Sequence, residues 1–202
     1  MSRKMSKSYL VVSIAMMSAL AIIFDVFSDM LPFRVVWGMK IDFVGTVWVL
    51  SYFLYDLPVA LPVSAITTLY IALLMPTGFV GAIMKFIATI PMFLIPAIVS
   101  RLPFFSKRNS KIFNNLLLTV GLCIIANIVR LVLATTINYY WAIPLWWGIP
   151  PDQILDNELF GGSFTAFILF IAGMNVAQGI VDIVVPWVLA FKLKLSTTFG
   201  TW

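Results

Sequence analysis

Long apolar stretches, separated by proline, glycine and charged residues, constrain the fold of this 202-residue chain more than any other feature. A helix that crosses the hydrocarbon core of a bilayer needs about 20 mostly apolar residues. Six stretches qualify, at roughly 9 to 29, 42 to 55, 57 to 75, 78 to 100, 114 to 144 and 163 to 191. Charged residues make up only 10% of the chain, against about 25% in a soluble domain. The sequence therefore predicts an all-α, multi-pass membrane protein in which residues 1-202 form one domain, a bundle of six transmembrane helices.

The distribution of basic residues predicts how this bundle is oriented. Loops rich in lysine and arginine remain on the cytoplasmic side of a membrane. One side of the predicted bundle carries nine such residues, namely Arg3, Lys4, Lys7, Arg101, Lys107, Arg108, Lys111, Lys192 and Lys194. The other side carries Arg34 and Lys40, together with the acidic Asp152, Asp156 and Glu158. Both termini are therefore predicted to be cytoplasmic, in the cell membrane, which agrees with an even number of spans.

A cleaved signal peptide is an alternative reading of the first span. The chain begins with a basic segment, and Ala19-Leu20-Ala21 has the small-residue pattern of a cleavage site. However, the apolar run continues past that site to Phe24, and cleavage would leave five spans with a conflicting charge bias. We therefore expect the first span to be a membrane helix.

The composition excludes many enzyme classes. The sequence has no histidine and a single cysteine, Cys123, so it offers no basis for a disulfide, a thiolate metal site or a histidine-based catalytic triad. The glycine-rich phosphate loops that bind nucleotides are missing too. We expect a protein that is not an enzyme and has no metal, cofactor or nucleic-acid partner, and any ATP-driven activity would need a partner.

Four charged residues fall inside the predicted spans. Asp25, Lys85 and Arg130 are expected at the middle to outer depth of the bilayer, and Asp182 closer to the cytoplasmic side. Charges at this depth are costly and normally face a cavity or a partner. Two readings of the first three remain open: an ion pair or triad that ties helices together, or a polar pocket with excess positive charge. Asp182 is expected to reach the inner interface.

Amide and aromatic side chains cluster near the predicted outer side. Asn138 lies at the end of the fifth span, and Asn175 and Gln178 share one face of the sixth. Amides offer both donors and acceptors, which suits a heterocycle with alternating carbonyl and N–H groups, although they also join helices. The aromatic residues are Trp37, Tyr139, Tyr140, Trp141, Trp146 and Trp147. These form an interfacial belt or a stacking surface for a flat ligand, and the two readings are compatible.

Ala15 and Ala19 in the first span form a pair of small residues four positions apart. Such a pair allows another helix to approach closely. It indicates a helix-packing face on the first span.

Several short segments resemble the substrate-binding S components of energy-coupling factor (ECF) transporters, in particular the riboflavin-specific group. Met39-Lys40-Ile41-Asp42-Phe43 is similar to the L-K-x-D-[FL] segment of that group's first outer loop. Gly81-Ala82-Ile83-Met84-Lys85-Phe86-Ile87-Ala88-Thr89 resembles its fourth span. Asn138-Tyr139-Tyr140, followed by Pro144-Leu145-Trp146, resembles N-[YF]-[YF]-x-x-x-P-[IL]-Y, and Phe160-Gly161-Gly162 also fits.

The sixth span resembles the family segment P-F-N-x-x-K-G but departs from it at two points. Asn175-Val176-Ala177-Gln178-Gly179 occupies its place, with Gly173-Met174 instead of Pro-Phe and Gln178 instead of lysine. The segments follow one another in the family order over nearly the whole chain.

The resemblance implies a high-affinity vitamin-binding subunit that captures its ligand at the outer face under the first outer loop. Its partners would be a transmembrane coupling subunit, contacted by Ala15 and Ala19, and two cytoplasmic ATPases. The expected ligand is riboflavin or a related flavin, with thiamine or folate as alternatives. Together with the polar pattern, the resemblance predicts a substrate site of Lys40, Asp42, Lys85, Asn138, Tyr139, Trp146, Asn175 and Gln178. A stand-alone carrier coupled to protons or sodium is the alternative from a different functional class.

Overall fold

A computed structural model describes residues 5–30, 39–103 and 109–202 of the chain. These residues are predominantly helical and include no β-strand. Six residues used in the sequence analysis lie outside the described ranges: Arg3, Lys4, Arg34, Trp37, Lys107 and Arg108. The all-α prediction is therefore confirmed for the part of the chain that is described.

The α-helices follow one another as α1 (Lys7–Asp29), α2 (Val44–Tyr55), α3 (Leu57–Leu74), α4 (Gly78–Val99), α5 (Leu116–Ile137), α6 (Ile143–Trp147), α7 (Phe164–Trp187) and α8 (Leu195–Thr198). Short 3₁₀ turns occur at Ser110–Asn114 and Pro151–Asp156. A π-helical turn, Asn138–Ala142, joins α5 to α6, and a second one, Val188–Lys192, extends α7.

Among the described residues, five helical segments are long and apolar enough to cross a membrane. They are Lys7–Asp29, Leu57–Leu74, Gly78–Val99, Leu116–Trp147 and Phe164–Lys192. Helix α2, in the place of the predicted second span, has only 12 residues, all of them buried. At about 1.5 Å per residue it is too short to cross the hydrocarbon core alone. The second of the six predicted spans, at 42 to 55, was already the shortest, and in the structure it is a short central helix among five long ones.

Lipid-facing character is visible on the outside of the long helices. Large apolar side chains are exposed on each of them, for example Met16, Leu73, Phe79, Leu117 and Leu169. A water-soluble protein rarely exposes so much contiguous apolar surface. This surface is suited to the hydrocarbon of a bilayer.

The tight turn between α2 and α3 marks one end of the bundle. Asp56 adopts a left-handed conformation there (φ 62°) and accepts a 3.1 Å hydrogen bond from the Arg101 guanidinium at the end of α4. The C-terminal segment packs against the same end, where the Trp202 indole donates to the Tyr52 carbonyl at 3.0 Å. Helix α1 begins at this end and α3 ends at the opposite one, so the chain alternates direction through the bundle.

An aromatic cluster fills the interior near this first end. Its rings belong to Tyr52, Phe53, Phe113, Phe191 and Trp202, with centroids 5.1 to 6.2 Å apart in pairs. Aromatic rings at these separations pack edge to face or tilted. The bundle is consequently solid at this end, and its cavity lies at the other.

Candidate functional site

A cavity of about 740 Å³, which includes the open space at its mouth, lies at the end of the bundle where α1 and α3 finish and α4 and α7 begin. The lining residues are Asp25, Asp29, Met39, Lys40, Asp42, Ile71, Met75, Thr77, Gly81, Met84, Lys85, Ala88, Arg130, Asn138, Trp146, Asn175 and Gln178. Seven of the eight substrate-site residues proposed from the sequence are among them.

Lys85 in α4 forms an ion pair with Asp42, which lies just before α2. Both side chains are largely buried and line the cavity. The same Asp42 carboxylate accepts the Val44 N–H at 2.8 Å, which fixes the start of α2. One of the two readings left open by the sequence joined Lys85, Asp25 and Arg130 in an ion pair or triad. The described residues do not form it, because each of the three has a different partner.

Gln178 in α7 ties the segment before α2 to the wall of the cavity. Its Oε1 accepts the backbone N–H of Asp42 at 3.0 Å, and its Nε2 donates to the backbone carbonyl of Asp42 at 2.8 Å. The second Nε2 hydrogen is donated to Asp182 at 2.8 Å. Both amide hydrogens and the amide oxygen are thus engaged. Gln178 has no exposed surface, so these bonds are shielded from water.

Arg130 in α5 and Asp182 in α7 form a second buried ion pair, with Nη1 2.9 Å from Oδ2. The Nε atom of Arg130 also donates to Asn175 Oδ1 at 3.2 Å. Asp182 was expected to reach the inner interface, but its side chain is fully buried in the bundle. The glycine at position 45 makes this possible, since a side chain there would collide with the Asp182 carboxylate.

The third charged group of the cavity lies on the α1 side. Lys40 Nζ is 2.9 Å from Asp25 Oδ1 and 2.6 Å from Asp29 Oδ1, and it also donates to the backbone carbonyl of Asp25 at 3.1 Å. The cavity therefore has three ammonium or guanidinium groups, each beside a carboxylate. The excess positive charge of the second open reading is therefore not present among the described residues.

Two asparagines retain hydrogen-bonding capacity after their internal bonds are counted. Asn138 donates one amide hydrogen to the Ala134 carbonyl at 2.8 Å, and Asn175 donates one to the Ile171 carbonyl at 2.9 Å. Each amide has a second hydrogen, and each oxygen accepts two bonds. The α5 and α7 side of the cavity can thus offer both donors and acceptors to a ligand.

The π-helical turn aligns Asn138 with Trp146, eight residues later. An α-turn takes 3.6 residues and a π-turn about one more, so the two residues are about two full turns apart and face the same way. Trp146 lines the cavity, as predicted. Tyr139 is absent from the lining because neighbouring helical residues point in different directions. Its ring packs edge-on against Phe164 and Phe167, with centroids 5.4 Å apart in both pairs.

Sequence reasoning missed the apolar part of the lining. Met39, Met75 and Met84 line the cavity together with Ile71 from α3. Methionine is flexible and polarisable and packs readily against aromatic rings. Met39 and Met84 carried a usable signal, because each directly precedes a lysine in a segment that the sequence analysis singled out.

Ala15 and Ala19 lie away from the cavity, on the exposed face of α1. Exposed apolar residues flank them, among them Val12, Met16 and Ile23. The side chains at the centre of this face are small, and no helix of the described residues covers it. It is accessible to another membrane helix.

The cavity offers several groups that can contact a ligand. The charged groups are engaged with one another, while the Asn138 and Asn175 amides, the Trp146 ring and the methionines are available for a flat, partly polar ligand. Among the described residues, no group of three or more histidine, cysteine, aspartate or glutamate side chains is placed to hold a metal ion.

No protein-family model matches this sequence, and no curated protein matches it. The fold is similar to that of a solved structure, the S component of a bacterial ECF transporter, with a TM-score of 0.69. The alignment covers 94% of this chain and 97% of that chain at 22% sequence identity. The protein therefore has the S component fold.

Proposed function

We propose that this protein is the substrate-binding S component of an ECF-type importer and that its ligand is riboflavin or a related flavin. The observation that carries the proposal is the convergence of Lys40, Asp42, Lys85, Asn138, Trp146, Asn175 and Gln178 on one cavity in a protein of the S component fold. The sequence resemblance had selected these residues from segments far apart in the chain.

The remaining hydrogen-bonding groups of the Asn138 and Asn175 amides support a ligand with a heterocyclic edge. The pyrimidine-like edge of a flavin alternates carbonyl oxygens with a ring N–H. Asn138 and Asn175 can each donate to a carbonyl and accept from an N–H. Trp146 supplies an aromatic surface for the fused rings.

Charge compensation favours riboflavin over folate. The pairs Lys85–Asp42 and Arg130–Asp182 neutralise one another, and Lys40 is engaged by two carboxylates, Asp25 and Asp29. No cation of this network is left over for a dianion such as folate, whose transfer from water would therefore be costly. Riboflavin is uncharged near neutral pH and does not incur this cost.

Described basic residues cluster at the end of the bundle opposite the cavity. They are Lys7, Arg101, Lys111, Lys192 and Lys194. By the positive-inside rule this end is cytoplasmic, and the cavity opens outward. We propose that α2 completes six crossings, with both termini inside. A transmembrane coupling subunit would pack on the Ala15 and Ala19 face, and two cytoplasmic ATPases would energise uptake.

The absorption spectrum and ligand titrations of the purified protein test the proposal. We expect a co-purified flavin band in the visible region and quenching of riboflavin fluorescence on titration. Thiamine and folate should fail to displace the flavin. Displacement by either vitamin would reassign the ligand, and uptake in vesicles that lack coupling and ATPase subunits would favour the stand-alone carrier.

A further inference from the structure

Residues 195–202, here called the strap, supply hydrogen bonds to the end of α2 that lies away from the cavity. The Thr201 N–H donates to the Leu54 carbonyl at 2.9 Å, and the Trp202 indole donates to the Tyr52 carbonyl at 3.0 Å. The last four carbonyls of a helix lack partners in a following turn, and burying them unpaired is costly. Because every residue of α2 is buried, the protein itself must provide these partners. The strap does so at two of the four positions.

The strap is in turn held by two other segments. Ser110 donates to the Trp202 carbonyl from both its N–H, at 3.4 Å, and its hydroxyl, at 2.9 Å. The Tyr9 hydroxyl donates to the Phe199 carbonyl at 3.3 Å. The ring of Trp202 packs against that of Tyr52, with centroids 5.1 Å apart. Trp202 therefore joins α2 to the 3₁₀ turn that contains Ser110.

The backbone that leads into the strap is irregular. Helix α7 is extended by the π-helical turn Val188–Lys192, and Lys194 then adopts a left-handed conformation with φ 60°. Residues with a side chain rarely adopt this conformation, and hinges commonly lie where an element ends. The side chains of Lys194, Thr198 and Phe199 are exposed. The strap is thus accessible from the end of the bundle opposite the cavity.

Helix α2 connects the strap with the cavity. Its 12 residues span about 18 Å. At the cavity end, Asp42 accepts the Val44 N–H at 2.8 Å, pairs with Lys85 and is bound through its backbone by Gln178. Apolar packing along the helix is non-directional. The position of α2 along its own axis is therefore determined mainly by the polar contacts at its two ends.

We propose that the strap positions α2 and thereby Asp42, so that displacing the strap weakens ligand binding at the opposite end of the bundle. Thr201 and Trp202 are positioning residues in this scheme, since neither lines the cavity. The effect on α2 follows from the fold alone, whereas the effect on ligand affinity rests on the proposed function. A protein that binds the exposed surface of the strap would thus promote release of the ligand.

The test compares three variants with the unmodified full chain, purified in detergent. Trp202→Ala removes the indole donor and the ring, whereas Trp202→Phe keeps a ring and removes only the donor. Phe199→Ala is the matched control, because it changes an exposed side chain of the strap and keeps the carbonyl that binds Tyr9. Hydrogen–deuterium exchange without ligand reports on α2, and riboflavin titration by flavin fluorescence reports on the cavity.

Trp202→Ala should accelerate exchange at residues 52–56, beside the strap, and also at residues 42–47, about 18 Å away. Exchange in α5 (Leu116–Ile137) should stay unchanged. Riboflavin affinity should fall about fivefold or more, the scale of one lost hydrogen bond. Trp202→Phe should show the same pattern with smaller changes, which keeps the test open if Trp202→Ala does not fold. Phe199→Ala should change neither exchange nor affinity.

Each contrary result overturns a defined part of the inference. Faster exchange confined to residues 52–56 would make the strap a local cap, and equally faster exchange in α5 would mean general destabilisation. Faster exchange at residues 42–47 with unchanged riboflavin affinity would refute the effect of the strap on the cavity. If the unmodified protein bound no flavin, the proposed function would fail, while the exchange data would still decide whether the strap positions α2.

Discussion

The side-chain amide of Gln178 binds the backbone of Asp42 in the manner of a neighbouring strand, accepting from its N–H at 3.0 Å and donating to its carbonyl at 2.8 Å. The two residues are 136 positions apart in sequence. This contact joins the segment before α2 to the middle of α7. The position of Lys85 depends on it as well, because its partner is the same Asp42.

Replacing Gln178 by glutamate, whose side chain has nearly the same shape, should weaken the contact with the backbone of Asp42. The carboxylate keeps an acceptor for the Asp42 N–H, but it loses both donated bonds and faces the Asp182 carboxylate. We expect a loss of about 2 to 4 kcal/mol in stability, since buried polar groups lose their partners, and weaker flavin binding. Thermal unfolding and titration measure the two effects. Gln153→Glu, on the exposed 3₁₀ turn, is the control, and an equally stable Gln178→Glu protein would contradict the assignment.

A double substitution at Lys85 and Asp42 can separate the structural role of Lys85 from its contact with the ligand. Lys85→Met alone leaves the buried Asp42 carboxylate without its cation and should cost about 3 to 5 kcal/mol of stability. Lys85→Met combined with Asp42→Asn removes the uncompensated charge and should restore most of that loss. If Lys85 contacts the ligand, affinity remains weaker by about 1.5 to 3 kcal/mol in the double variant. Recovery of both stability and affinity would show that Lys85 has only a structural role, the ion pair with Asp42.

Gly45 should not tolerate even a methyl group. A side chain at this position overlaps the Asp182 carboxylate, which is held by Arg130 and Gln178. We expect Gly45→Ala to destabilise the protein by about 1 to 3 kcal/mol, as overpacking does. Gly121→Ala in α5 is the control, because a methyl group there meets nothing and alanine favours the helix by up to about 1 kcal/mol. Similar melting temperatures of the two variants would contradict the packing described here.

Enlarging the exposed small residues of α1 should separate uptake from binding. Leucine at both Ala15 and Ala19 is expected to abolish riboflavin uptake by cells that supply the partner subunits, because the coupling helix can no longer approach. Binding to the isolated protein should change less than about threefold, since neither residue lines the cavity. Ala65→Leu, on the exposed face of α3, is the matched control. Equal loss of binding and uptake would place the α1 pair in an internal contact.

The orientation can be tested with single cysteines in a background where Cys123 is replaced by serine. Positions 111 and 152 are both exposed, and they lie in loops predicted to be on opposite sides of the membrane. An impermeant thiol reagent applied to intact cells should label cysteine at position 152 and leave position 111 unmodified. The reverse labelling pattern would show that the protein has the opposite orientation in the membrane.

The sequence predicted the helical bundle and most of the polar residues that line the cavity, but it did not predict the pairing of charges. Lys85, Arg130 and Asp25 stand out because charged residues in apolar runs are costly. Their partners could not be assigned, since Asp42 was singled out only through the resemblance and Asp182 was placed at a different depth. Depth along a helix can be counted at a fixed rise per residue, whereas rotation depends on details such as the π-helical turn at Asn138–Ala142, which aligns Asn138 with Trp146.

The sequence already showed the second span to be short, but it did not show that α2 is buried on every side. Residues 42 to 55 are as apolar as a membrane span, but their burial on every side follows from the packing of the longer helices. A buried helix and a lipid-facing helix of this length cannot be told apart by hydrophobicity.

The buried helix α2 and the aromatic cluster beyond it determine the electrical behaviour of this conformation. The rings of Tyr52, Phe53 and Phe113 are buried, with centroids 5.5 to 5.8 Å apart, so aromatic rings fill the axis of the bundle on the side away from the cavity. We therefore expect that a bilayer containing this protein alone shows no added conductance. For the proposed S component, such an ion-tight axis would let a cell keep the protein in its membrane without dissipating the membrane potential.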